Sequence, residues 1–471
     1  MNFVFFVNGM VLMFMAALMV VCGLLFAGTA GVFAQSALLV GIVGLGLALS
    51  SSARIGPIRN THAFLLTASV WITAALAGAL PLWLWDLSLV DAVFEAMSGI
   101  TTTGSTVMAG LDATDPGILV WRALLQAVGG IGFIVTGIAL LPILKVGGMQ
   151  LFRTESSDKG EKELGTAARF ASATLLVYLG LIVLCALIYL AGGMSAFDAA
   201  THALTTLSTG GYSTHDASFG HFDSAFLQWT ATLFMLLGAL PFAWYIRAAL
   251  RRQFRSEQIV MMLRSLVVVI GGLTLWLWAD SGMAFVDALR LVAFNVVSVV
   301  TTTGYATTDY TLWGPPAVAA FFVLTAVGGC TGSTAGGAKA MRWLLMARAI
   351  HAAVRKVHAP HAVTTIRYEE RAVGDDVLSG VIAFFTLYFA TFVAVAFILG
   401  FLGLDMATAT SGALTAVANV GPGVGPVIGP AGNFAALPDA AKLVLTVAMY
   451  LGRLEILTVF VLLTPMFWRE V

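Results

Sequence analysis

Ten apolar stretches divide this chain, at roughly 3–26, 36–52, 64–84, 118–144, 170–192, 226–249, 259–279, 315–350 (interrupted), 377–403 and 440–466. A bilayer core needs about 20 apolar residues per spanning helix, and the stretches are of that order. A soluble chain of 471 residues, 59% hydrophobic and 10% charged, has no way to hide so much apolar surface. The pattern predicts an all-α polytopic membrane protein. The first stretch lacks a basic leader and is too long for a typical cleaved signal, so it is expected as a retained helix. Net charge is zero, so nothing points to nucleic acid. Cys22, Cys185 and Cys330 lie in or beside apolar segments without metal-ligand spacing, as buried bland residues do.

Charge sets the orientation. Between the stretches, twenty of the 24 Lys and Arg fall on one side, from Arg54 and Arg59 through the 145–169, 247–264 and 339–371 groups to Arg469. The basic side is cytoplasmic, so both termini are expected there. Thirteen carboxylates, from Asp86 and Asp91 through Glu95, Asp112 and Asp198 to Asp439, are expected on the outer side, against Arg122, Arg290 and Lys442. A vestibule of that sign concentrates cations.

Against this apolar background a short polar loop keeps returning: "SGITTTGST" (Ser98–Thr106), "LSTGGYST" (Leu207–Thr214), "VTTTGYAT" (Val300–Thr307) and, more distantly, "ANVGPGVG" around Gly421. Each follows a spanning stretch and a segment too short to cross, and precedes another span. The short segments are expected to open at Asp91, Asp198, Asp287 and Asp405, which suit helix N-termini. The separations from these to Gly104, Gly210, Gly304 and Gly421 are 13, 12, 17 and 16 residues. The order helix, half-helix, loop, helix thus repeats four times. Non-helical backbone at membrane depth survives only where protein or a watery cavity covers it. Four such loops can surround an axis with carbonyl oxygens that replace an ion's water, with the negative helix ends aimed at it.

These residues resemble the Trk/Ktr superfamily of potassium-translocating subunits, closest to its TrkH branch. The resemblance rests on "FEAMSGITTTGST", "LSTGGYSTHD", "TTTGYATTDY", "NVGPGVGP", "GGCTGSTAGGAKAMR" and "LGRLEILT", and covers the chain from about residue 60. It implies four pseudo-symmetric helix–pore-loop–helix repeats around a central potassium pore, plus two extra N-terminal helices, in the plasma (bacterial inner) membrane. The divisions expected are 1–58 for the extension, then repeats 59–150, 151–256, 257–372 and 373–471. It implies K+ as the transported ion, bound at filter residues Thr102, Thr103, Gly104, Ser208, Thr209, Gly210, Thr302, Thr303, Gly304, Asn419, Val420 and Gly421. It further implies a homodimer and a cytoplasmic RCK-domain (TrkA-like) regulatory subunit. The short basic cytoplasmic loops hold no nucleotide domain, so any nucleotide is expected on that partner alone.

The eighth stretch is interrupted by Gly328, Gly329, Gly332, Gly336 and Gly337, followed by Lys339. Each interior glycine costs a helix about 1 kcal/mol relative to alanine, so a break is expected over 328–338. A phosphate loop is not satisfied, because Ala338 separates Gly337 from Lys339 and Ala340 follows it. The resemblance makes this segment a gate. Arg453, about midway along the last stretch, carries a charge that the membrane tolerates only against the bundle interior, water or a partner. It is expected below the filter as a brake, or paired with the gate. A sodium- or proton-coupled symporter is the alternative; its second ion site would have Glu455 as candidate. No catalytic constellation is found, so an enzyme is not expected.

Overall fold

The computed structural model describes residues 1–52, 60–139, 167–361, 365–454 and 456–470. Six described helices are long and apolar enough to cross a membrane, or up to eight if two bent pairs each count as one span. Helices α1 (Asn2–Leu25) and α2 (Ala30–Ser52) form a hairpin joined by one tight turn. Gly9 and Gly44 meet within it, and a Cβ on either would stand 3.0 Å or less from the other's carbonyl oxygen. Small residues allow this backbone approach, which drives helix association in lipid. Helix α3 (Asn60–Trp85) receives the hairpin through buried Asn8, which donates to the Ser69 hydroxyl at 2.8 Å and accepts from Thr73 at 2.7 Å.

The four repeats follow. The first adds half-helix α4 (Leu89–Ile100) and α5 (Pro116–Ala139) to α3. The second comprises α6 (Ala167–Ala191), half-helix α7 (Ala196–Leu207), α8 (Ala225–Gly238) and α9 (Phe242–Arg251). The third comprises α10 (Glu257–Ser281), half-helix α11 (Phe285–Val300), α12 (Pro315–Thr325) and α13 (Ala340–His358). A two-residue strand pair, β1 (Arg367–Tyr368) and β2 (Arg371–Ala372), leads to the fourth. That one has α14 (Asp375–Phe401), half-helix α15 (Met406–Ala418), α16 (Asp439–Arg453), α17 (Ile456–Leu462) and α18 (Pro465–Glu470). The half-helices have 12, 12, 16 and 13 residues, and at 1.5 Å per residue they fall short of a 30 Å core.

Two expected continuous spans are broken. The stretch at 226–249 turns by 87° between α8 and α9. Pro241, immediately before α9, has no N–H to continue the ladder. The stretch at 440–466 turns by 107° between α16 and α17, so Arg453 closes a helix instead of standing midway along one. The break in 315–350 falls between Thr325 and Ala340, as the glycines predicted.

Candidate functional site

The half-helices start in a common way, three residues before most of the expected aspartates. Ser88 and Ser195 are the N-caps of α4 and α7, and each accepts a hydrogen bond from the backbone N–H of Asp91 or Asp198. In α15 the cap is Asp405 itself, accepting from Thr408; α11 begins after Ala284 with no side-chain cap. At the other end, Thr102, Thr209, Thr302 and Asn419 take left-handed φ values of 54°, 52°, 59° and 56°. Two residues on, Gly104, Gly211, Gly304 and Gly421 take φ of 84°, 77°, 83° and 110°.

This corrects the second loop by one residue. Gly211 is the counterpart of Gly104, Gly210 stands where the first loop has Thr103, and Ser208 stands where it has Thr101. From N-cap to this glycine the spacing becomes 16, 16, 20 and 16 residues. Three repeats are identical in length, and the third is longer by four residues, close to one helical turn.

The glycines close a ring. A Cβ on Gly104 would fall within 3.0 Å of the Gly210 carbonyl oxygen, one on Gly211 within 3.0 Å of Thr303 O, one on Gly304 within 3.0 Å of Val420 O, and one on Gly421 at 2.8 Å from Thr103 O. Loop 1 meets loop 2, 2 meets 3, 3 meets 4, and 4 meets 1. The four carbonyls of Thr103, Gly210, Thr303 and Val420 therefore surround one axis. Gly104, Gly211, Gly304 and Gly421 all line a single cavity of about 70 Å³. At the lower tier, the buried oxygens Thr102 Oγ1 and Asn419 Oδ1 have no hydrogen-bond partner among the described residues. Carbonyls and orphaned neutral oxygens without a carboxylate suit a weakly hydrated monovalent cation.

Each loop is braced differently. Thr101 and Thr103 share a hydroxyl pair at 2.7 Å, and Thr301 and Thr303 share one at 2.8 Å. Loop 4 has Asn419, whose amide donates to Thr103 Oγ1 and to Met449 O, both at 2.9 Å. Loop 2, with glycine at the Thr103 position, is held by buried Gln126 from α5. Its Nε2 donates to Gly210 O at 2.6 Å, and its Oε1 accepts from Tyr212 N at 3.1 Å. Behind loop 1, Glu95 and Arg122 form a buried ion pair at 2.8 Å. Glu95 also accepts from the Thr106 hydroxyl and Val107 N–H, and Arg122 donates to Ser213 O and lies 4.1 Å over the Tyr212 ring. Both were expected among the charges of the outer side. Lys442, expected there too, is buried and bonds Asp91 at 2.6 Å, joining repeat 4 to repeat 1. A lone Gln or charge inside or beside an apolar stretch was the available signal for all of them.

Under the ring lies the segment between α12 and α13. Gly336 N donates to Thr302 Oγ1 at 2.7 Å, and Gly337 N to Ala418 O at 2.8 Å. The Thr334 hydroxyl contacts Leu207 O at 3.0 Å and Gly238 O at 2.9 Å, and accepts from Thr209 at 3.2 Å. The segment thus crosses the ends of three half-helices. In the other repeats the equivalent place holds helix backbone. A Cβ on Gly129, Gly238 or Gly452 would stand 3.0 Å or less from Ile100 O, Leu207 O or Val417 O respectively. After these come Gly130, Ala239 and, in repeat 4, Arg453. A position kept small elsewhere therefore carries a guanidinium. Arg453 Nη1 donates to Thr334 O at 2.9 Å and Nη2 to Gly129 O at 3.4 Å, tying the interrupted segment to repeat 1. Lys339, at the foot of the break, is buried with φ of 67°. Glu455 lies outside the described residues.

On the face of the ring away from the interrupted segment, Asp216 lines the cavity and its N–H donates to Asp112 at 3.3 Å. Asp216 accepts from Leu111 N at 3.1 Å, and His215 bonds Asp112 at 2.5 Å. That hydrogen bond holds the Asp112 carboxyl below its ordinary range.

The TrkH family profile, described as a cation transport protein, matches residues 30–470. A Trk system potassium uptake protein TrkI from Halomonas elongata is 50% identical over 413 residues, covering 86% of this chain and 84% of that protein. A Trk system potassium uptake protein TrkH from Escherichia coli K12 is 35% identical, covering 94% of this chain and 93% of that one. The crystal structure of the potassium transporter TrkH from Vibrio parahaemolyticus superposes with a TM-score of 0.91 at 31% identity, over 99% of both chains.

Proposed function

The chain belongs to the TrkH family of cation transport proteins, and from that membership we propose that it mediates potassium uptake across the plasma (bacterial inner) membrane, with both termini cytoplasmic. The observation that carries this is the closed cycle of loop contacts, Gly104 to Gly210, Gly211 to Thr303, Gly304 to Val420 and Gly421 to Thr103. Four carbonyls around one axis replace the water of a passing K+, and the half-helix C-termini add negative potential beneath it. The residues proposed to form this filter are those from Thr102, Thr209, Thr302 and Asn419 through Gly104, Gly211, Gly304 and Gly421.

The segment 326–339 acts as the gate. Its support is position: it bonds Thr302, Leu207 and Ala418 directly below the ring and is latched by Arg453. Opening requires those bonds to break together, and a second copy of the chain with a cytoplasmic regulatory subunit supplies the control. Rubidium uptake and potassium-dependent growth of a transport-deficient host carrying this chain test the proposal, with Gly104→Ser as the control. Uptake by the unaltered chain and its loss with serine are expected; equal behaviour of the two chains refutes the filter.

A further inference from the structure

The outer mouth carries a cluster of one carboxylate and two imidazoles. Asp112 follows loop 1, while His215 and His221 follow loop 2, and one ligand atom from each lies within 4.8 Å of the others. The two imidazoles stack with centroids 3.5 Å apart and planes 1° from parallel. His215 is fixed in place: Asp112 bonds its Nδ1, Phe222 packs edge-on at 5.5 Å, and Nε2 points to Asp198 Oδ1 at 3.4 Å. That Nε2 is buried without a hydrogen-bond partner. A carboxylate facing the second nitrogen is the usual setting of a metal-bound histidine, because it fixes the tautomer and raises ligand basicity. The His221 side chain has no part in that ion pair and makes no hydrogen bond among the described residues.

We infer that Asp112, His215 and His221 bind a divalent transition metal of the zinc class at the outer mouth, pinning repeat 1 to repeat 2 and restricting entry to the ring. Imidazole nitrogen favours zinc-like ions over K+, Na+ and Mg2+, which prefer oxygen, so the transported ion does not compete. Tetrahedral zinc with bonds of about 2.0–2.2 Å sets ligand atoms roughly 3.4 Å apart, and imidazole lone pairs lie in the ring planes, so the cluster must tighten and His221 must leave the stack. His221, exposed at the end of the Ser218–His221 turn, has room to rotate for this.

The test uses the full chain, purified in detergent, titrated with Zn2+ by calorimetry and with Co2+ by absorption. One ion per chain at micromolar affinity is expected, weakened at least tenfold in His221→Ala and in Asp112→Asn. No saturable binding below about 1 mM, or His221→Ala binding as tightly as the unaltered chain, overturns the site. In proteoliposomes, external Zn2+ should lower rubidium uptake, each variant being scaled to its own zinc-free rate, and His221→Ala should escape the block. Binding without a block overturns the restriction of entry. This flux arm rests on the pore proposal, whose failure shows separately as absent zinc-free uptake.

Discussion

Gly210 and Gly211 are adjacent, yet alanine at each should fail for different reasons. Gly211 sits at φ of 77°, and its Cβ would strike the Thr303 carbonyl, which is backbone of the next loop. Left-handed backbone costs a non-glycine residue about 1–2 kcal/mol, and forcing atoms into a packed site about 1–3 more. The sum, about 2–5 kcal/mol, shifts the balance between closed ring and relaxed alternatives by roughly one and a half to three and a half decades, at about 1.4 kcal/mol per tenfold. Gly210 has no left-handed φ. The three atoms nearest its Cβ would all belong to the Gln126 side chain, with Nε2 at 2.8 Å. Gly210→Ala should therefore recover when Gln126 is shortened, and Gly210→Thr with Gln126→Ala should rebuild the arrangement of loops 1 and 3. Gly211→Ala should not recover with any change at Gln126. The assay is rubidium uptake with sodium competition in proteoliposomes, at matched protein levels. If Gln126→Ala rescues Gly211→Ala, or fails to rescue Gly210→Ala, the one-residue register is wrong.

Three further outcomes are expected. Glu95→Gln strands Arg122 in a buried site, so it should destabilise by about 3–5 kcal/mol in denaturation and admit more sodium; replacing both residues with apolar ones should cost less than the single change. Arg453→Gln removes the latch on Thr334, so potassium flux in the absence of any regulatory subunit should rise at normal expression; unchanged flux removes the brake. Asp405 is held below its ordinary value of 3.8, chiefly by its hydrogen bond with Thr408. Its cap therefore stabilises above that ordinary value and is lost as pH falls through the lower folded value. Melting curves of the unaltered chain and Asp405→Ala should differ at pH 6 and converge at acid pH; a gap that widens with acid contradicts the cap.

Much of the architecture was legible because the bilayer imposes it. Apolar length, loop charge and a fourfold return of threonine and glycine are one-dimensional signals. What was misread required three-dimensional context. "STGG" matches "TTTG" best when Gly210 is set on Gly104, and only the backbone angles show that Gly211 belongs there. Gln126 then takes up the space that Thr103 fills in loop 1, from a helix far along the chain. The turns before Phe242 and after Arg453 interrupt stretches whose average hydropathy stays high despite Pro241 and Arg453, so hydropathy read straight through them. Arg122 and Lys442, near the ends of their apolar stretches, look like ordinary boundary cations until Glu95 and Asp91 are found beside them.

The most direct measurement is anomalous diffraction from crystals soaked in thallium(I), which scatters strongly and substitutes for potassium. Thallium peaks are expected on the axis, within coordination distance of the Thr103, Gly210, Thr303 and Val420 carbonyls, and displaced by excess K+. Peaks found only away from that axis, with the ring ordered and empty, would contradict the assignment of these four loops as the cation path.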